Sequence, residues 1–195
     1  MQSLSFTNDE MNQLVASSAE VHFHTRMGFL NAHNGLRRGS VHMVIGTAGG
    51  GKSTLIRTLL RDLLFNTKNE QYSIVSWLSE ETCTRYKTQL VHGLEPDKRL
   101  ENCVLISEID EMDKGAKHFF DNIEMLSPDV LIYDNLTTSR FYEGARPAEQ
   151  VKYFSKIKEM TSRLNCATII VAHTAANVND NQARLIEPND IRVIS

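Results

Sequence analysis

The sequence is short of several features that would place it in a specialised class. No apolar run in its 195 residues approaches the 18 or so needed for a membrane-spanning helix, so no transmembrane helix and no membrane partner are expected. The first twenty residues are polar and lack the apolar core of a secretory leader, which points to a cytoplasmic location. Cysteine is sparse: Cys83, Cys103 and Cys166 make no C-x-x-C pair, and the last two lie in apolar strand-like runs, where cysteine acts as a small hydrophobe. Reduced thiols and no thiolate metal site are expected. Positive charge is not in excess either, since 21 Lys and Arg against 24 Asp and Glu leave a net charge of −3. Any contact with nucleic acid must therefore come from locally placed residues rather than from the field of the whole chain. Internal repeats and interdomain linkers are missing. The remaining composition, 41% apolar and 23% charged, is that of a single globular domain with a sizeable core, not of a disordered or fibrous chain.

What is present begins with the segment 41–60, VHMVIGTAGGGKSTLIRTLL. Gly46, Gly51, Lys52 and Ser53 satisfy G-x-x-x-x-G-K-[ST], a loop whose glycines let backbone N–H groups turn inward around phosphate oxygens. The cradle runs through Gly46, Thr47, Ala48, Gly49, Gly50, Gly51, Lys52, Ser53 and Thr54. Lys52 would reach the β- and γ-phosphates, the Ser53 hydroxyl would help coordinate Mg²⁺, and the following helix would offer the positive end of its dipole. Both flanks suit the motif: Val41, Met43, Val44 and Ile45 read as a buried strand, and Leu55, Leu59 and Leu63 recur at helical spacing.

Elsewhere the pattern alternates strand with helix. Thr7 and Glu10 form a capping box, with Phe6 and Met11 at staple positions, which predicts a helix over about 8–19. Strands are expected at 72–78, 103–107, 130–133 and 167–172, with a sixth beginning over 191–194. Between them, 80–92 reads as a helix that Ser79 would cap and Gly93 would end, and a further helix begins near Ala148 after Pro147 and closes at Asn165. The acidic stretch 108–113 reads as a solvated helix start, with metal binding as the alternative. Such alternation means a mostly parallel α/β sheet.

Hydrolysis of a bound nucleotide needs three further parts: an acid that holds Mg²⁺ through water, a group that orients the attacking water, and a sensor of the γ-phosphate. Each has a candidate at a strand end, where ligands of parallel sheets bind. Asp134 closes LIYD and would serve as the acid. Glu80 and Glu81 follow the second strand, with Glu80 favoured as the water-orienting base and Glu81 as its substitute. His173 closes TIIVAH and would be the sensor.

With these residues together, the chain from about Thr25 onward resembles the RecA-like ATPases, in particular the core shared by DnaB-type and RepA-type replicative helicases, KaiC and RadA. The segment GFLNAHNGLRRGSVHMVIG is similar to the family's lead-in, VSWLSEET to its strand-plus-glutamate element, LIYDNLTT to its Walker B strand, and IIVAHT to its fifth strand with a polar sensor. The resemblance implies a three-layer RecA-like P-loop fold with sheet order 5-1-4-3-2. It divides the chain into an N-terminal helix and linker (1–24) and an ATPase domain (25–195). It also implies ATP and Mg²⁺ as cofactors and a homo-oligomeric, usually hexameric, ring with an arginine finger supplied in trans. Two loops, 138–147 and 174–184, would line a channel that grips single-stranded DNA. In this sequence Arg140, Arg146 and Arg184 would contact phosphates or else be solvated loop charges, and Arg184 and Arg192 are the finger candidates.

The chain departs from that pattern in three ways. Only a short helix precedes the core, where helicases of this class carry a primase-related domain. The sequence stops before the family's further strands, as a truncated or minimal member would. The second loop, AANVNDNQA, is poor in Lys and Arg. The expected activity is Mg²⁺-dependent ATP hydrolysis driving action on single-stranded DNA, as the motor core of a replicative-type helicase. The alternative is a KaiC-like regulatory or assembly ATPase that acts on a protein partner without translocating on DNA.

Overall fold

The computed structural model of the protein describes residues 7–9, 22–23, 25–31, 35–65, 72–94 and 97–174. Apolar β-branched runs become strands and the 3.6-residue repeats between them become helices, as the pattern requires. A short antiparallel ribbon of β1 (His22–Phe23) and β2 (Leu36–Arg37), with α1 (Gly28–Asn31) between them, leads into the main body. There follow β3 (Val41–Gly46), α2 (Lys52–Phe65), β4 (Ile74–Leu78), α3 (Cys83–Val91), a 3₁₀ turn at Lys98–Asn102, β5 (Cys103–Ser107), α4 (Ala116–Leu126), β6 (Val130–Asp134), α5 (Pro147–Leu164) and β7 (Ala167–His173).

The strands β3 to β7 form one parallel five-stranded sheet in the order β3-β7-β6-β4-β5. Counted along the chain this is first-fifth-fourth-second-third, which corrects the expected 5-1-4-3-2. Burial accounts for the difference. The residues of β4 and β6 are buried throughout and those of β7 nearly so, and these three occupy the interior. In β5 Val104 is exposed and Cys103 and Leu105 are only partly buried, and in β3 every residue is half-buried, so the two flank the sheet among the described residues. The expectation that the strand before the glycine loop is buried is corrected by the same fact.

Period-two alternation then sorts the strand side chains between two helical layers. Ile74, Leu78, Val130, Ile132, Ile169 and Val171 face α2 and α3, meeting Ile56, Leu60, Leu63, Tyr86 and Leu90. Val75, Trp77, Leu131, Tyr133 and Ile170 face α4 and α5, meeting Phe119, Ile123, Phe154 and Ile157. Phe119 is the hub of this second layer, packing edge-on against Trp77, Phe120 and Tyr133 at centroid distances of 4.8, 4.9 and 5.1 Å. Phe119→Ala is expected to cost about 3–5 kcal/mol in urea unfolding, because the surrounding rings cannot collapse into the space it leaves.

Local punctuation decides where the helices stop. Asn165 adopts φ 52° at the end of α5, Gly93 adopts φ 74° just past α3, and Pro147 opens α5. The cap of α3 is Thr82, whose hydroxyl accepts from Arg85 N at 3.3 Å, rather than the expected Ser79. Ser79 is engaged elsewhere, donating to the Asn135 carbonyl at 2.7 Å. The stretch 108–113 is a series of turns and no helix start, since α4 begins only at Ala116. Of the helix expected over 8–19, residues 8 and 9 are helical and the rest lie outside the described residues, as does the sixth strand expected over 191–194.

Candidate nucleotide-binding site

Because every strand of the sheet runs the same way, the carboxyl ends of β3, β7, β6 and β4 converge on one edge. The glycine loop leaves β3 at Gly46 and enters α2 at Lys52. Gly49 and Gly51 take φ 73° and 80°, a region closed to most side chains, and a Cβ on Gly50 would sit 3.1 Å from the Thr47 carbonyl oxygen. The residues 47–51 are exposed, Gly50 N donates to the Thr47 carbonyl at 3.1 Å, and Lys52 is buried beneath the loop.

The ammonium of Lys52 donates to the carbonyls of Gly46 and Thr47 at 2.9 and 2.7 Å and to His173 Nδ1 at 2.9 Å. An imidazole nitrogen that accepts from an ammonium leaves the ring proton on Nε2. That nitrogen then donates to Glu80 Oε1 at 3.0 Å. Glu80 Oε1 also accepts from Asn135 Nδ2 at 2.8 Å, Asn135 Oδ1 accepts from Thr137 Oγ1 at 2.7 Å, and Thr137 Oγ1 accepts from His173 N at 3.1 Å. Glu80, Asn135, Thr137 and His173 thus close a ring that aims the carboxylate across the mouth of the glycine loop. The strand order makes this possible, because β7 lies between β3 and β6 and pairs His173 with Gly46.

Asp134 ends β6 in register with Leu78 of β4 and is only 7% exposed. Ser53 Oγ donates to its Oδ1 across a long 3.5 Å. Burial pushes the Asp134 carboxyl up to about 6, with the Glu80 and Glu81 charges adding to the rise and the Ser53 hydroxyl and Arg57 opposing it. A buried carboxylate held by one stretched hydrogen bond beside a serine hydroxyl is a fitting donor set for Mg²⁺, which takes one or two carboxylates and otherwise uses waters and phosphate oxygens. No cluster of three or more His, Cys, Asp or Glu suited to a metal occurs among the described residues, and Mg²⁺ of this kind needs none.

The raised Asp134 fixes the sign of a pH effect. The native state keeps this proton up to about pH 6, whereas an unfolded aspartate releases it near 4, so this group's contribution to stability falls as pH rises from 4 to 6. With Mg²⁺ chelated, Asp134→Asn is expected to stabilise the protein by about 1–3 kcal/mol at pH 8 and to have little effect at pH 4, read from urea unfolding at the two pH values.

Glu81 is spent differently from Glu80. Its carboxylate pairs with Arg57 at 3.4 Å and lies 3.9 Å from Arg85, which ties it to α2 and α3. The loop arginines are also engaged. Arg140 donates to the carbonyls of Glu111, Met112 and Lys114, and Arg146 pairs with Glu149 at 2.7 Å on the first turn of α5. Arg184 and Arg192 lie outside the described residues.

Sequence reasoning passed over Asn135 and Thr137 as site residues. Their signal was the polar run that follows LIYD at a strand's carboxyl end, where polar side chains gather around a ligand. A separate groove of about 540 Å³, lined by Cys83, Leu90, Leu100 and Cys103, lies on the β5 side of the sheet away from the glycine loop. Burial pushes its two thiols up to about 11 and 12, which makes them poor nucleophiles at neutral pH.

Compared with models of known protein families and with curated proteins, the chain matches none. The α/β fold with a parallel central sheet and the arrangement at its carboxyl edge therefore carry the functional argument by themselves.

Proposed function

We propose that this chain is a Mg²⁺-dependent ATPase of the RecA-like class that acts on single-stranded DNA, as the motor core of a replicative-type helicase working in a ring of identical copies. The observation that supports hydrolysis most is the line running from Lys52 through His173 to Glu80, with Asp134 and Ser53 beside it. Thr47 to Ser53 would hold the phosphates, with Ser53 and, through water, Asp134 holding the cation. Mg²⁺, when bound, neutralises charge on the phosphate oxygens.

A phosphate oxygen carries full charge and competes successfully with a neutral imidazole for the Lys52 ammonium. His173 would then be free to meet the γ-phosphate, and its hold on Glu80 would change with the nucleotide. Glu80 would accept the proton of the attacking water, oriented by Asn135 on one side and His173 on the other.

The second reading is a KaiC-like regulatory ATPase that acts on a protein partner. It is favoured by the described loop after β6, where Arg140 is committed to carbonyls and Arg146 to Glu149. One experiment separates the two: the ATPase rate measured with and without single-stranded DNA across a series of salt concentrations. A DNA motor gives stimulation that weakens steeply as salt rises. No stimulation and no salt-dependent binding would reject the motor in favour of the regulatory ATPase, and no ATP turnover at all would reject both.

A further inference from the structure

Among the described residues two buried carboxylates lie outside the hydrolysis site, Asp62, which pairs with Arg26, and Glu108. Glu108 follows β5 directly, at the same edge of the sheet as the glycine loop, and is 4% exposed. Its Oε1 accepts from Trp77 Nε1 at 2.6 Å and Ser139 Oγ at 2.8 Å, with Tyr133 OH 3.2 Å away, and its Oε2 accepts from Arg140 N at 3.0 Å. This corrects the reading of 108–113 as wholly solvated. A carboxylate taken out of water persists only where donors surround it, and here Trp77 Nε1, Ser139 Oγ and Arg140 N converge on it.

Each hydroxyl has one proton, which orders the network. Tyr153 OH lies 3.1 Å from Tyr133 OH, Tyr133 OH lies 2.7 Å from Ser139 Oγ, and Ser139 Oγ lies 2.8 Å from Glu108. The shortest contacts therefore form a chain of donors from Tyr153 through Tyr133 and Ser139 that ends on the carboxylate.

The donors come from two places. Trp77 lies three residues before Glu80 on β4, and Tyr133 immediately precedes Asp134 on β6. Ser139 and Arg140 belong to the 135–146 loop. The Arg140 guanidinium binds the carbonyls of Glu111, Met112 and Lys114 as well, so both its backbone and its side chain fasten that loop to the segment after β5. Asn135 and Thr137 tie the start of the loop to Glu80 and His173 directly, and Glu108 ties its middle, at Ser139 and Arg140, to Trp77 of β4 beside Tyr133 of β6.

We propose that Glu108 is a positioning residue that couples the 135–146 loop to the hydrolysis site, so that a single strand engaged by the loop changes turnover rather than nucleotide affinity. The proposal rests on the reading above of an ATPase that acts on single-stranded DNA. Glu108→Gln is the informative variant, since an amide has one acceptor and one donor end. With its oxygen toward Trp77 and Ser139, its NH₂ faces the Arg140 N–H, donor against donor, and flipping the amide only moves the conflict to Trp77 and Ser139.

The test uses the full chain, Mg–ATP and an oligo(dT) probe, and reads kcat and KM together with the emission of Trp77, the chain's single tryptophan. In the unaltered protein, oligo(dT) is expected to raise kcat with KM for ATP constant to within about twofold, and to shift Trp77 emission. Glu108→Gln is expected to keep its circular dichroism and its unstimulated kcat within about threefold, yet to lose at least about four-fifths of the stimulation and the emission response. If Glu108→Gln fails to fold, Ser139→Ala carries the same comparison by removing a donor from the loop side alone. Stimulation and emission equal to those of the unaltered protein would overturn the coupling and leave the ATPase reading intact. Absence of any ATP turnover would overturn the ATPase reading instead, and the coupling would then stand or fall on whether oligo(dT) with Mg–ADP shifts Trp77 in the unaltered chain but not in the variant.

Discussion

Glu80→Gln is expected to bind Mg–ATP as tightly as the unaltered chain and to turn it over about 10²–10⁴-fold more slowly. The substitution preserves shape and keeps an oxygen that accepts from Asn135 Nδ2 and His173 Nε2, which lie 2.8 and 3.0 Å from the carboxylate now. What it removes is the capacity to accept a proton from water. The cation site gains if anything, because the Glu80 charge is among the causes that raise the Asp134 carboxyl. Binding is read with a fluorescent ATP analogue and turnover by phosphate release. Near-normal turnover would transfer the role to Glu81, although Glu81 would first have to leave Arg57.

Lys52→Ala is expected to weaken Mg–ATP binding about 10- to 150-fold and to lower turnover of whatever binds by a further 10²–10³-fold or so. The first range corresponds to the loss of a hydrogen bond from a charged donor to phosphate, about 1.5–3 kcal/mol. The second follows from losing fixed positive charge where charge develops in the transition state. The variant also leaves the Gly46 and Thr47 carbonyls and His173 Nδ1 without the donor they share. Circular dichroism and urea unfolding therefore accompany the binding measurement. A folded variant with unchanged affinity would show that the loop does not cradle phosphate.

The two substitutions bracket the site. Lys52 is the part that the sequence made plain, since its spacing from Gly46 and the flanking strand and helix are all local. Glu80, Asp134 and His173 were legible as strand-end residues once the alternation of strands and helices was recognised. Their contacts were not, because Ser53 to Asp134, Glu80 to His173 and Lys52 to His173 span 81, 93 and 121 positions along the chain and depend on which strands are neighbours. Placing the P-loop strand between the fourth and fifth would have set Asp134 beside Gly46. The structure sets His173 there instead, and so makes it the link between Lys52 and Glu80.

Arg140 and Glu108 illustrate the same limit from the other side. An arginine in a polar loop and a glutamate heading an acidic run both look like solvated charges when read locally. Only the pairing of β4 with both β5 and β6 brings Trp77, Tyr133 and the loop after β6 around Glu108, and only then do the carbonyls after β5 reach the Arg140 guanidinium. Burial of a charged group is a property of the assembled layers, invisible in a pattern of nearest neighbours.

By itself the sequence determined the parallel α/β class, the five strands of the sheet, the limits of α3 and α5 to within a few residues, and the glycine loop between β3 and α2, because periodicity, caps and glycine placement act over a few residues. Tertiary structure alone decided the strand order, the ring of Glu80, Asn135, Thr137 and His173, and the buried Glu108. Each depends on hydrogen bonds between segments far apart in the chain, whose partners are chosen by how the sheet buries its most apolar strands.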